Sequence, residues 1–346
     1  VKINVEELKN KLEVAKLGLS AKGIINEYNR YMIKDNTLLT TNDEIVVIVP
    51  DIGLDFKEGI AIKSEELLSL LKKATNSKEI EVTLDDELLL SWKKTKSGLR
   101  YYDLNESLFN EDVQELLAPD SKFGWVELPQ VFTGALTLVK GCAAKDIYAE
   151  VLNSICITGS GLTACDNYRI STYDFGEDVF DKNFLLPLST ANILIRFKPV
   201  EVGYGENDSW VYFRNKLGYT LGCRVYSGEY PELDDFLYPE EGGTDILFSQ
   251  AMVDTITRAE VFVDTSDDQK LIDIKITTNE IEVSSEKEEG WLKETGRIKY
   301  AGKPFSFKID IDSLREILLH VNKGQMYKSS IRFEDEQFVY VNVIGD

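Results

Sequence analysis

The chain is poor in the residues on which catalytic chemistry is usually built. Its 346 residues include one histidine, His320, which closes a leucine-rich helical stretch and reads there as a partner for the helix C-terminal dipole, not as a catalytic base. There is no Gly-x-x-x-x-Gly-Lys-Ser/Thr loop, no His-Glu-x-x-His pair and no Gly-x-Ser-x-Gly elbow. The four cysteines, Cys142, Cys156, Cys165 and Cys223, lack Cys-x-x-Cys spacing and sit in apolar stretches, so they read as reduced, buried thiols. A long apolar run, a signal peptide and a lipidation motif are all missing, which predicts a soluble cytoplasmic protein with no membrane partner. Basic residues are scarce too. With 39 Lys and Arg against 60 Asp and Glu, the net charge of −21 excludes a generally basic nucleic-acid coat but leaves room for a local basic face.

What the chain does have is internal repetition. Strand-patterned text running into a polar residue and a leucine-rich helix recurs at 60–68, 184–190 and 305–314, with expected caps Ser64, Ser189 and Asp312. A second helix series begins near Val5, Leu128 and Phe248, so the chain reads as six units of one helix plus several strands. Three domains follow, at 1–120, 121–241 and 242–346, with borders near Ala118-Pro119-Asp120-Ser121 and Pro239-Glu240-Glu241-Gly242-Gly243. Leu8, Leu12, Ala15 and Leu19 trace one apolar stripe of the first helix, and the later helices repeat the plan. Each helix carries or adjoins basic residues: Lys9, Lys16 and Lys22; Lys72 and Lys73; Lys140; Arg196 and Lys198; Arg258; Arg315 and Lys323. Alternating, β-branched text fills 37–49, 80–92, 155–172, 210–225, 271–284 and 331–343. Helices separated by several antiparallel strands give an α+β fold.

Two motifs look like chemistry and read better as structure. Gly159-Ser160-Gly161-Leu162-Thr163-Ala164 matches a dinucleotide fingerprint and supports an alternative, a nucleotide-dependent enzyme. That fingerprint needs a helix to start at the glycines, whereas Thr163 to Ser171 reads as strand, so a hairpin turn is expected. The Asp310-x-Asp312 and Asp267-Asp268 pairs read as a strand end with a helix cap and as an acidic loop, so no metal or cofactor is expected.

The middle of the chain is recognisable. Val126-Glu127-Leu128-Pro129, Val151-Leu152-Asn153-Ser154-Ile155, Ala164-Cys165-Asp166-Asn167-Tyr168-Arg169-Ile170-Ser171, Phe184-Leu185-Leu186-Pro187 and Ser227-Gly228-Glu229-Tyr230-Pro231-Glu232-Leu233 occur in one order. In that order they resemble the bacterial DNA polymerase III β subunit, the sliding clamp. Gly302 to Leu314 is similar to the family's third-domain segment, and the first domain matches in layout more than in letter. The resemblance implies a DNA-clamp fold of three repeated domains, two helices per domain lining a hole and antiparallel sheets outside. It implies a head-to-tail homodimer that encircles double-stranded DNA without regard to sequence and tethers the replicative polymerase, with no catalytic activity.

The helix cations named above would then face the phosphate backbone. Polymerase and clamp-loader peptides would dock in a cleft of Leu152, Cys165, Tyr168, Arg169, Ile170, Pro231, Phe236, Val341 and Val343. Strand text near Leu99 to Leu104 and Leu271 to Ile276 would supply the paired edges of the dimer, with Leu104, Val261, Phe262 and Leu271 at the contact. The chain departs from the family at Asp166-Asn167-Tyr168-Arg169-Ile170, at Asp234-Asp235 and at its tail, Tyr340 to Asp346. Drift of this extent suits a phage-encoded or otherwise divergent copy.

Overall fold

A computed structural model describes residues 1–20, 26–42, 44–74, 77–104, 124–205, 209–237, 242–249, 251–263 and 270–343. Over these the chain runs strand, helix, three-stranded meander six times. The leading strands and helices are Lys2–Asn4 with α1 (Val5–Ala15), Ile60–Lys63 with α2 (Ser64–Lys73), Val126–Glu127 with α3 (Phe132–Lys140) and Phe184–Pro187 with α4 (Leu188–Phe197). After a single turn of helix, α5 (Asp234–Leu237), come Thr244–Leu247 with α6 (Ala251–Ala259) and Phe305–Asp310 with α7 (Ile311–His320). The six meanders end in the strands Ile45–Val49, Thr95–Leu99, Arg169–Asp174, Thr220–Arg224, Gly290–Arg297 and Phe338–Val343.

Local chemistry sets the helix limits. The Asn4 side chain accepts from the backbone N–H groups of Glu6 and Glu7, both at 3.0 Å, and two acids in the first turn complement the dipole of α1. Val5, Leu8, Leu12 and Ala15 are its buried stripe. Leu19 falls outside that stripe, because the helix tightens into a 3-10 turn at Lys16–Gly18, where Gly18 lies against Thr40; a Cβ there would be 2.9 Å from the Thr40 carbonyl oxygen. The expected caps shift as well. Asp310, not Asp312, caps α7 by accepting from Ser313 N at 2.9 Å, while Lys63 and Pro187 precede α2 and α4 without a side-chain cap.

Two compact units result, one of Val1–Val126 with Pro199–Arg224 and one of Glu127–Lys198 with Val225–Asp346. Strand pairing follows one rule. Leading strands are exchanged between neighbouring repeats: Lys2–Asn4 pairs with Glu79–Leu84 and Ile60–Lys63 with Arg30–Lys34. Phe184–Pro187 pairs with Ser154–Thr158, Thr244–Leu247 with Lys323–Met326, and Phe305–Asp310 with Leu271–Thr277. In the first unit, the last strand of the first meander pairs antiparallel with that of the fourth, Ile45–Val49 with Thr220–Arg224. In the second unit, Arg169–Asp174 pairs with Phe338–Val343 in the same way. Among the described residues, the last strands of the second and fifth meanders, Thr95–Leu99 and Gly290–Arg297, end their sheets without a further neighbour.

The fold is α+β, as the sequence predicts. Gly159 and Ser160 form the turn between antiparallel strands Ser154–Thr158 and Gly161–Cys165, so no helix N-terminus stands there to receive a pyrophosphate. Among the described residues no helix is long and apolar enough to cross a membrane. The borders expected at 118–121 and 239–241, the Asp267-Asp268 pair, and Ile344 to Asp346 lie outside the described residues, as does the His320 side chain.

Candidate docking cleft and nucleic-acid interface

The cleft in the second unit arises from strand alternation. Successive side chains of a strand point to opposite faces, so a meander packed under a helix buries every second residue on the helix side. Ile155, Ile157, Leu162, Ala164 and Tyr173 take that side, where α3 packs on the sheet. The other face carries Cys156 opposite Thr163, Cys165 opposite Ile170, Ile170 opposite Val341 and Thr172 opposite Val339. An exposed sheet face is ordinarily polar, yet this one is largely apolar. The segment after the fourth meander folds back onto it. Cys165, Ile170, Leu237 and Val341 form a buried cluster, with Leu152, Tyr230, Leu233 and Val339 packed against it, half-buried.

Polar contacts hold the segment in place. The Tyr230 hydroxyl accepts from Cys165 N at 2.8 Å, and burial raises its pKa, so the phenol stays neutral. Leu233 accepts from the N–H groups of Phe236 and Leu237 and so starts α5, which turns Leu237 into the cluster and leaves Phe236 66% exposed. Val343 N donates to the Tyr168 carbonyl at 2.7 Å, tying the last strand to the turn before Arg169.

Of the nine expected cleft residues, Leu152, Cys165, Ile170 and Val341 are brought together, while Tyr168, Pro231, Phe236 and Val343 are exposed. Arg169 is a correction. Alternation turns it to the helix side, where it is buried, paired with Asp166 and close to Cys142 and Tyr340, so its guanidinium pins the turn instead of meeting a ligand. Tyr230, Leu233, Leu237 and Val339 were missed. Val339 was legible from its period-two spacing to Val341; Leu237 carries only a four-residue spacing from Leu233.

The expected DNA-facing cations divide into committed and uncommitted charges. Lys9 pairs with Glu6 at 2.6 Å, and Lys72 with Glu13 at 2.7 Å across α1 and α2. Arg258 holds Glu294 through two bonds, Arg315 reaches Glu260 at 2.6 Å and Asp312 at 3.4 Å, and Lys323 meets Asp245 at 2.8 Å. Lys140 is also a correction. It is 5% exposed where the end of α3 meets the start of α7, with its ammonium 3.5 Å from Asp312 and 3.9 Å from Asp310. Its charge is neutralised within the unit, and a surface role is gone. Lys16, Lys73, Arg196 and Lys198 are exposed and have no ion-pair partner among the described residues. Lys22 lies outside those residues.

Two expected interface residues move. Leu104 is 2% exposed in a buried cluster with Met32, Leu39, Val46 and Ala61, so it is core of the first unit. Leu271 belongs to a strand flanked on both sides, by Glu280–Lys287 and by Phe305–Asp310, and therefore presents no free edge. Val261 is exposed and Phe262 half-buried against Gly290.

Comparison with solved structures identifies the fold. A structure assigned as the DNA polymerase III beta subunit of Eubacterium rectale matches with a TM-score of 0.72 at 16% identity, covering 100% of this chain and 99% of that one. The DNA polymerase III subunit beta of Borrelia burgdorferi, in complex with a natural product, matches with a TM-score of 0.73 at 14% identity, covering 100% and 98%. The DnaN sliding clamp of Pseudomonas aeruginosa bound to griselimycin gives 0.69 at 15%, with the same coverage. No protein-family profile and no curated protein sequence matches. The chain has the fold of the DNA polymerase III beta subunit, the sliding-clamp fold, over its full length.

Proposed function

We propose that the protein is a DNA sliding clamp, a non-catalytic cytoplasmic processivity factor. Two copies close head to tail into a ring around duplex DNA and tether a DNA polymerase. The observation that carries this reading is the inventory of edges. Of the six last meander strands, four pair with one another at two equivalent junctions, and the two left over are of the kinds that pair at those junctions. Two copies placed head to tail pair both of these remaining strands in each copy, so that no last meander strand is left open, as closed symmetry requires. The reciprocal exchange of leading strands supports division into domains at 1–120, 121–241 and 242–346.

Lys16, Lys73, Arg196 and Lys198 supply the uncommitted charge that would hold phosphate by sequence-independent attraction on an otherwise acidic body. Each phosphate contact adds roughly −0.9 to the slope of log affinity against log salt, so reversing all four together is expected to flatten that slope measurably. The apolar face around Ile170 and Val341 is the dock for polymerase and loader peptides, and the acids Asp234 and Asp235 in α5 favour peptides with a basic flank. Sedimentation equilibrium tests the reading: a mass near twice 39.2 kDa supports it, and a stable monomer at micromolar concentration overturns it.

A further inference from the structure

Resting on the ring reading, we infer the register of its closing contact: Trp291 of one copy lies opposite Lys96 of the other, with Leu292 opposite Thr95 and Gly290 opposite Ser97. The repeats fix these positions. In the first, third and fifth repeats the pairings Thr41 with Val46, Cys165 with Ile170 and Glu286 with Trp291 are equivalent. Counting starts from Arg30, Ser154 and Leu271, each opposite the residue just before a helix. Val46, Ile170 and Trp291 therefore occupy one position. In the second and sixth repeats, Ser91 with Lys96 and Arg332 with Val341 are equivalent. There Lys2 with Glu81 and Asp245 with Gln325 anchor the count, as do the bonds from Val5 N to Lys78 O and from Phe248 N to Asn322 O. Lys96 and Val341 therefore occupy one position. At the first junction Val46 faces Gly222, and at the second Ile170 faces Val341. The third junction puts Trp291 against Lys96.

The side chains suit that meeting. Trp291 is 67% exposed on an open edge strand, which is unusual for an indole outside an interface. An ammonium over its face gains cation–π attraction. Edge lysines ordinarily deter pairing, and here they deter it selectively. Pairing Thr95–Leu99 with its own copy gathers Lys93, Lys94 and Lys96 against themselves. That repulsion works against an isologous contact through this edge.

Cysteine mixing tests the register. Thr95→Cys and Leu292→Cys copies are mixed and oxidised, beside a shifted control of Thr95→Cys with Glu294→Cys, while the dimer constant of Trp291→Ala is measured by sedimentation. The inference expects a covalent heterodimer from the first mixture alone and a dimer dissociation constant raised at least about tenfold by Trp291→Ala. With a dimeric wild type, cross-linking of the shifted pair, cross-linking of neither pair, or an unchanged constant would overturn the register and leave the ring standing. A monomeric wild type would remove the ring reading itself.

Discussion

Two patches at equivalent places in the fold have opposite fates. Both lie on the face of a meander turned away from its helix, at a junction between the last strands of two meanders. In the first unit the patch is Met32, Leu39, Val46 and Ala61, and it is sealed by Leu104 with Ile48, Trp210 and Tyr212 packed alongside. Gly222 stands opposite Val46, and the missing side chain leaves room for Tyr212; a Cβ there would come within 2.6 Å of Val46 and 2.7 Å of Tyr212. In the second unit Val341 stands in the place of Gly222, and the covering segment leaves Leu152, Tyr230 and Val339 half-buried and Phe236 exposed. The same strand register makes sealed core in one unit and a partly open apolar face in the other. What differs is the segment that follows: one returns a leucine as a plug, the other a short helix as a rim.

The largest expected effect breaks the sealed patch. Leu104→Ala removes a buried leucine and should destabilise the first unit by about 2–5 kcal/mol, read by denaturant unfolding. The open patch should answer differently. Phe236→Ala should leave unfolding within about 0.5 kcal/mol of wild type yet cost about 2 kcal/mol or more in the binding of a polymerase-derived peptide, measured by calorimetry. If Phe236→Ala unfolds the protein without a specific loss of binding, the two patches are both core and the contrast is wrong. Gly222→Ala sharpens it further: overpacking against Val46 and Tyr212 should cost about 1–3 kcal/mol, with peptide affinity unchanged.

The smallest effect is one of pH. Burial pushes the Cys165 thiol and the Tyr230 hydroxyl above their ordinary values, so the folded cleft holds these protons more tightly than the unfolded chain does. Their contribution is full below the ordinary thiol value of 9.0 and is lost as pH rises through it and then through the tyrosine range. The segment from Tyr230 to Leu237 should therefore open more readily above pH 9.0, seen as faster proteolysis there, whereas the patch of Met32, Leu39, Val46, Ala61 and Leu104 contains no thiol and should not respond at that onset.

Much of this was legible in the sequence, and the failures have one cause. Helix stripes such as Leu8, Leu12 and Ala15, the sixfold recurrence and the Gly159 hairpin are local patterns of period or turn chemistry, and local patterns survive without tertiary knowledge. Lys140, Arg169, Leu104 and Leu271 were misplaced because their roles depend on what packs against them from far along the chain. Lys140 is claimed by Asp310 and Asp312, and Leu271 is flanked by a strand that begins at Phe305. Composition shows that cations sit on helices; it does not show which acids will reach them. Tyr230 and Leu233 lay in the quoted Tyr-Pro motif, yet their part in the cleft follows only once the segment folds back onto the sheet.

The central claim is that this chain holds DNA by enclosing it. It is tested most directly by comparing the lifetime of the protein on nicked circular DNA with its lifetime on the same DNA after linearisation, in salt high enough to screen the exposed lysines. The account predicts long retention on the circle and rapid loss once an end is made; equal lifetimes on both would contradict it.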